Sequence, residues 1–110
     1  MPSYMIQASY SAAAVTSMIK TPQDRAAAIR PMVEKLGGKL HGLWFAFGEF
    51  DVVVLVDMPD NVSATAIAMA VGGSGAMSAY RTTPLLTSAE ATDAMKKAGA
   101  LAYAAPQAAR

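Results

Sequence analysis

An α+β domain built on an antiparallel sheet is the fold class that this sequence predicts. Three observations predict it. Segments rich in branched and aromatic residues alternate with segments that carry helix caps and a helical apolar period. The two middle strands are joined by a short connection, which makes them an antiparallel hairpin. The element order is strand, helix, strand, strand, helix, strand, helix. Its first six members are the ferredoxin-like βαββαβ arrangement with a four-stranded sheet, and the seventh is an extra C-terminal helix.

The elements follow in order. Ser3–Tyr10 places Tyr4, Ile6, Ala8 and Tyr10 at period two, as a strand does. Ser11–Lys20 is Ala-rich and reads as a short helix or turn. Thr21-Pro22-Gln23-Asp24 starts a helix, with Thr21 as cap, Pro22 at the first helical position and Asp24 in the first turn. Ala26, Ile29, Val33 and Leu36 then share one face. Pro31 removes a backbone donor there and predicts a kink or a boundary. Gly37-Gly38 closes the helix.

Lys39–Phe47 and Asp51–Met58 read as the hairpin strands, joined through Gly48-Glu49-Phe50. Pro59-Asp60-Asn61 breaks the second strand and caps a helix over Val62–Val71. Gly72-Gly73-Ser74-Gly75 stops that helix. Met77–Leu86 is the fourth strand, and Pro84 marks it as an edge or an end. Thr87-Ser88-Ala89-Glu90 is a capping box for a last helix reaching about Ala98. Residues 1–99 therefore form one domain and 100–110 an Ala-rich tail, mobile unless a partner covers it.

Composition narrows the function classes. The 110 residues hold nine Lys+Arg and eight Asp+Glu, a formal charge of +1. A nucleic-acid partner calls for a basic excess, which is missing. Hydrophobic residues are 54% and charged residues 15%, so the chain is not of the disordered class. With no cysteine and one histidine, no thiol nucleophile and no thiolate or multi-histidine metal site is expected, and no cofactor. The longest apolar runs fall far short of the ~20 residues of a membrane helix. The N-terminus lacks the basic start and long apolar stretch of a signal peptide, so a soluble, cytoplasmic protein is expected.

The hairpin strands are apolar on both faces. Val52, Val54, Val56 and Met58 share one face, yet Val53 and Leu55 stand at the middle of the other. On the neighbouring strand Leu40, Gly42, Trp44 and Ala46 alternate with His41, Leu43, Phe45 and Phe47. Helices cover only one face of a single sheet. An open apolar face exceeds the patch size that monomers usually show. The expected remedy is packing against a second copy, so the expected partner is the chain itself.

The run Gly48-Glu49-Phe50-Asp51-Val52-Val53-Val54-Leu55-Val56-Asp57-Met58-Pro59-Asp60 resembles the signature of the GYD domain family. Phe50 stands where that family has its tyrosine, and Asp57 where a glutamate is common. The resemblance takes in Thr21–Arg25, Leu36–Leu40, Gly72–Gly75, Arg81-Thr82-Thr83 and Leu85, and covers roughly residues 3–98. GYD proteins are small and bacterial. The resemblance implies a dimeric α+β barrel, in which two ferredoxin-like sheets pack face to face. That wider group holds cofactor-independent monooxygenases, isomerases, haem-binding enzymes and proteins with no known reaction. Membership therefore implies a fold and leaves the reaction open.

Six side chains are the candidates for chemistry. His41 is a possible general base or a packed interface residue. Tyr80, like Tyr4 and Tyr10, is a possible proton donor or a buried ring with its hydroxyl at the rim. Trp44 and Phe45 are candidates for lining a pocket for a flat ligand or for anchoring the interface. Arg81 is a candidate for holding an anion or for pairing with Asp51 or Glu49. Asp51 is a ligand-binding candidate that also suits the turn amides. Asp51 and Asp57 do not make a carboxylate pair, because six strand residues set them roughly 20 Å apart. The glycine run at 72–75 follows a helix and precedes a strand, the reverse of a phosphate loop.

Two readings result. One is a homo-oligomer that binds a small ligand or builds an assembly without turnover. The other is an enzyme like the cofactor-independent monooxygenases or isomerases, acting on a small aromatic substrate. The second requires a pocket of at least ~300 Å3 with a polar side chain reaching in.

Overall fold

A computed structural model describes residues 1–107. The last three residues of the Ala-rich tail lie outside the described residues. Eight elements follow in order: β1 (Ser3–Tyr10), α1 (Ala12–Lys20), α2 (Arg25–Lys35), β2 (Lys39–Phe45), β3 (Val52–Asp57), α3 (Asn61–Gly72), β4 (Met77–Leu85) and α4 (Ser88–Gly99). The four strands form one antiparallel sheet in the order β2-β3-β1-β4. This is the ferredoxin-like order, with α1 inserted before α2 and α4 appended. Pro84 lies on β4, an edge strand, where a missing donor is tolerated.

Period two decides what is buried. Tyr4, Ile6 and Ala8 of β1 lie beside Val56, Val54 and Val52 of β3, and all six are buried. Met58, at the end of β3, is completely buried. Helix α2 adds Val33 to this core and α3 adds Ala64 and Ile67. Each Val, Ile or Met side chain so removed from water contributes about 1.5–3 kcal/mol.

The start of α2 differs from the sequence expectation. Thr21 ends α1, with its N–H on the Ser17 carbonyl, and Asp24 caps α2. The Asp24 carboxylate accepts from the Ala26 and Ala27 N–H groups at 2.9 and 3.2 Å. A charged acceptor one turn later is the stronger cap, and Pro22 becomes a stiff link between the two helices. Helix α2 also runs through Pro31 without ending. Pro31 and Ala27, whose carbonyl loses its helical partner, are both exposed, so that carbonyl is open to water.

A bulge corrects the expected faces of β2. Leu40 pairs with Val56 and Gly42 with Leu55, which leaves His41 as the extra residue. The alternation therefore changes phase at His41. Leu40, Leu43 and Phe45 face the helices together, whereas Gly42 and Trp44 share the open face with Val53 and Leu55. Strict alternation had placed Leu40 opposite Leu43 and Phe45. The strand also stops at Phe45, and the Ala46 N–H reaches the Asp51 carbonyl at 2.8 Å across a longer connection.

The C-terminal arm stands apart. Helix α4 carries the expected capping box between Thr87 and Glu90. It contributes no buried residue, and Met95, Leu101 and Tyr103 are exposed. The radius of gyration is 18.2 Å, against about 13 Å for a compact chain of this length.

One close approach fixes α2 against the hairpin. The Gly37 N–H bonds to the Glu34 carbonyl and the Gly38 N–H to the Val33 carbonyl, a Schellman ending with Gly37 at φ +80°. A Cβ on Gly38 would stand 2.5 Å from Met58 Sδ and 2.6 Å from the Asp57 carbonyl oxygen. Backbone cannot yield there. Gly38→Ala is therefore expected to cost about 1–3 kcal/mol in urea unfolding. Gly48→Ala, which meets nothing within 4 Å, should stay within about 0.5 kcal/mol. Equal midpoints for the two variants would contradict this account of Gly38.

Candidate functional site

The helices do not seal the face they cover. Between the sheet, α2 and α3 lies a cavity of about 290 Å3, at the small end of the ligand-pocket range. Its floor is apolar, with Ile6 of β1 and Val54 and Val56 of β3. Its walls are Ile29 and Met32 of α2 and Ile67 and Val71 of α3. Tyr80, Tyr10, Ser74 and Arg25 are the polar residues of its lining. The lining contains no carboxylate and no imidazole.

Tyr80 is the notable polar group. It sits on the helix face of β4, opposite Ala8. Its Oη is shielded from solvent and has no hydrogen-bond partner among the described residues. Thr82 Oγ1, two residues along the same face, is in the same condition. The Thr82 hydroxyl lies near enough to favour the phenolate slightly, but the two groups do not reach hydrogen-bond geometry. Burial dominates and pushes the Tyr80 phenol above its ordinary value of 10.0. At neutral pH it is a proton donor held in an apolar wall. A buried hydroxyl without a partner is costly.

The other five candidates lie elsewhere. His41 is on the open face of the sheet, away from this cavity. Its Nε2 contacts Asp57 Oδ2 at 2.8 Å, and Ser3 Oγ donates to Asp57 Oδ1 at 2.6 Å. The carboxylate stands between the two groups, so Ser3 is not primed by the imidazole as a nucleophile would be. Trp44 is on the same open face, half exposed, and its indole lies over Gly42. Phe45 faces the helix side at the far end of the strand and stacks on Tyr10, with centroids 5.8 Å apart. Asp51 Oδ2 accepts the Tyr10 N–H at 3.0 Å, so its backbone partner is the end of β1 and not the turn amides expected of it. Arg81 pairs with no carboxylate among the described residues; its guanidinium lies 5.2 Å from the Phe50 ring centroid. That corrects the expected ion pair with Asp51 or Glu49. Asp51 is already tied to backbone, and Phe50 offers the nearer surface.

A family model for the GYD domain matches residues 4–95. The chain belongs to the GYD domain family. No curated protein and no solved structure matches it. The GYD hairpin connection is a fastener in this structure. The Asp51 N–H donates to the Ala8 carbonyl, the Asp51 carboxylate takes the Tyr10 N–H, and Ser9 Oγ donates to the Glu49 carbonyl. Three bonds thus clamp the hairpin to the end of β1. No group of three or more His, Cys, Asp or Glu side chains is placed to hold a metal among the described residues. Nor is any helix among them long and apolar enough to cross a membrane.

Arg25 is the cavity residue that sequence reasoning missed. The signal was present. Stepping back four from Ile29 along the apolar face of α2 reaches Arg25, a cation in an apolar register.

The Asp57 cluster generates a pH prediction. Ser3, then His41, hydrogen-bond its carboxylate and hold its pKa below the ordinary 3.8. A lowered folded pKa adds stability that is fully present above the ordinary value and is lost as pH falls through the folded value. Asp57→Asn should therefore be less stable than the wild type near pH 6, and the gap should close below about pH 3.8. Urea unfolding of both proteins across that range is the measurement. A gap that persists unchanged into acid would reject the linkage.

Proposed function

We propose that this GYD protein works as a homodimer that holds a small, largely apolar molecule in the cavity between sheet and helices, binding it without turnover. The observation that carries the proposal is the apolar cavity, whose lining includes Tyr80 with its unpartnered hydroxyl. Apolar walls supply affinity and a single fixed polar group supplies orientation, the usual composition of a small-molecule site.

Surface area supports the dimer. The chain exposes 7669 Å2, whereas a compact chain of its mass exposes about 5,800 Å2. The excess, roughly 1,900 Å2 per chain, is the size that obligate dimers bury. Two surfaces account for it. One is the open sheet face, where Val53, Leu55, Met5 and the half-exposed Trp44 stand together. The other is the arm formed by α4 and residues 101–107, whose Met95, Leu101 and Tyr103 find no cover among the described residues. Sheet-to-sheet packing with the arm laid on the partner hides both.

The same Tyr80 hydroxyl favours a second reading, a cofactor-independent monooxygenase or isomerase acting on a small aromatic substrate. Tyr80 would then donate a proton inside the cavity. Product formation from an aromatic probe, lost in Tyr80→Phe, would separate this reading from simple binding.

Two outcomes are expected. Light scattering should give twice the chain mass, and Leu55→Lys, which sets a charge at the centre of the open face, should give a monomer that keeps its circular dichroism. A stable wild-type monomer would remove the dimer. Titration with p-cresol and with toluene, followed by NMR, should move resonances of Ile6, Val54 and Ile67. Tyr80→Phe should weaken p-cresol about fivefold, the worth of one hydrogen bond, and leave toluene unchanged. Equal effects on both probes would remove Tyr80 from the site.

A further inference from the structure

We infer that the cavity is built for a monoanion with an apolar body, a small organic carboxylate, with Arg25 as the residue that selects it. The inference rests on the cavity being a ligand site and goes on to name the chemistry of the ligand.

Arg25 is the only charged residue in the lining. It is half-buried and forms no ion pair among the described residues. Its one side-chain partner is neutral: Nη1 donates to Gln23 Oε1 at 2.6 Å. A guanidinium has five N–H donors, and the rest of them find no protein acceptor among the described residues. The adjacent Asp24 does not pair with it: no carboxylate oxygen among the described residues lies within 4 Å of the guanidinium, and Asp24 Oδ1 accepts from the Ala26 and Ala27 N–H groups. Gln23 holds the guanidinium by one edge and leaves the remaining donors of the fork uncommitted.

The other polar groups set the number of charges. Ser74 Oγ donates to the Val71 carbonyl at 2.6 Å and accepts from the Ala76 N–H at 3.2 Å, so it is occupied. Tyr80 Oη is free but neutral. One cation and one neutral hydroxyl match a single negative charge. The planar fork of arginine fits the two oxygens of a carboxylate. A phosphate monoester brings nearly two charges and three oxygens, more than this lining answers. The apolar floor takes the body of the acid.

The experiment compares phenylacetate with phenylacetamide, a neutral compound of the same shape, on the full 110-residue chain by calorimetry and NMR. Phenylacetate should bind about tenfold tighter or more, the margin of a charge-assisted hydrogen bond. Arg25→Gln should abolish that margin and leave phenylacetamide within about twofold, while Arg25→Lys keeps part of it. Raising salt should weaken the acid and not the amide in the wild type, a readout that needs no variant to fold. If the amide binds and the acid binds no tighter, the carboxylate inference falls and the cavity reading stands. If neither probe binds at the cavity resonances, both fall. If phenyl phosphate binds tighter than phenylacetate, the ligand class is a phosphate and the inference is overturned.

Discussion

The alternation of β3 is the constraint on which the rest of this structure depends. Val52, Val54, Val56 and Met58 are driven against the helices, and Val53 and Leu55 are driven the other way by the same pleat. A central strand that is apolar on both sides demands two covers. Helices α2 and α3 supply one. The Schellman ending of α2 and the bare Cα of Gly38 let that helix meet the end of β3 at close range. Away from this contact the helices do not seal the sheet, and the cavity lies in the space left over. The cavity is thus a consequence of how one cover is anchored, and the other face of the sheet has no cover among the described residues.

Much of the fold was legible in the sequence because its signals are local. Period two marks strands and caps mark helix starts; Asp60 and Thr87 are read directly as caps, and the structure places them so. What escaped was set by competition or by phase. Thr21 and Asp24 both qualify as caps for α2, and the choice depends on which acceptor outbids the other. The bulge at His41 leaves no mark in a strand rich in aromatic and branched residues, since either phase of β2 presents apolar side chains. The hairpin connection is longer than its Gly48-Glu49-Phe50 signal suggests, because Ala46, Phe47 and Asp51 also lie outside the two strands.

The site was less legible than the fold. Sequence reasoning favours rare residue types, so the lone histidine, the lone tryptophan and the strand arginine drew attention. The structure sets these three on the open face, where His41 meets Asp57 and Arg81 meets Phe50. The cavity is assembled from common residues, Ile, Val, Met and Ala, whose meeting is a matter of helix placement. Of the six candidates only Tyr80 reaches it. Arg25 was hidden because a helix N-terminal cation reads as a solvated charge until the apolar register behind it is extended one turn.

The bulge at His41 has a consequence for how β2 tolerates change in length. A strand with one extra residue is in phase with its neighbour on both sides of that residue but not across it. Removing His41 alone would remove the bulge and leave Leu40, Leu43 and Phe45 on the helix face, opposite Val56, Val54 and Val52. Adding one residue elsewhere in β2 would instead turn part of the strand over and carry its apolar side chains to the opposite face. The single histidine is thus a spacer that lets Leu40 share a face with Leu43 and Phe45 despite their opposite parity in the sequence. Its position is fixed by counting, whatever its side chain does.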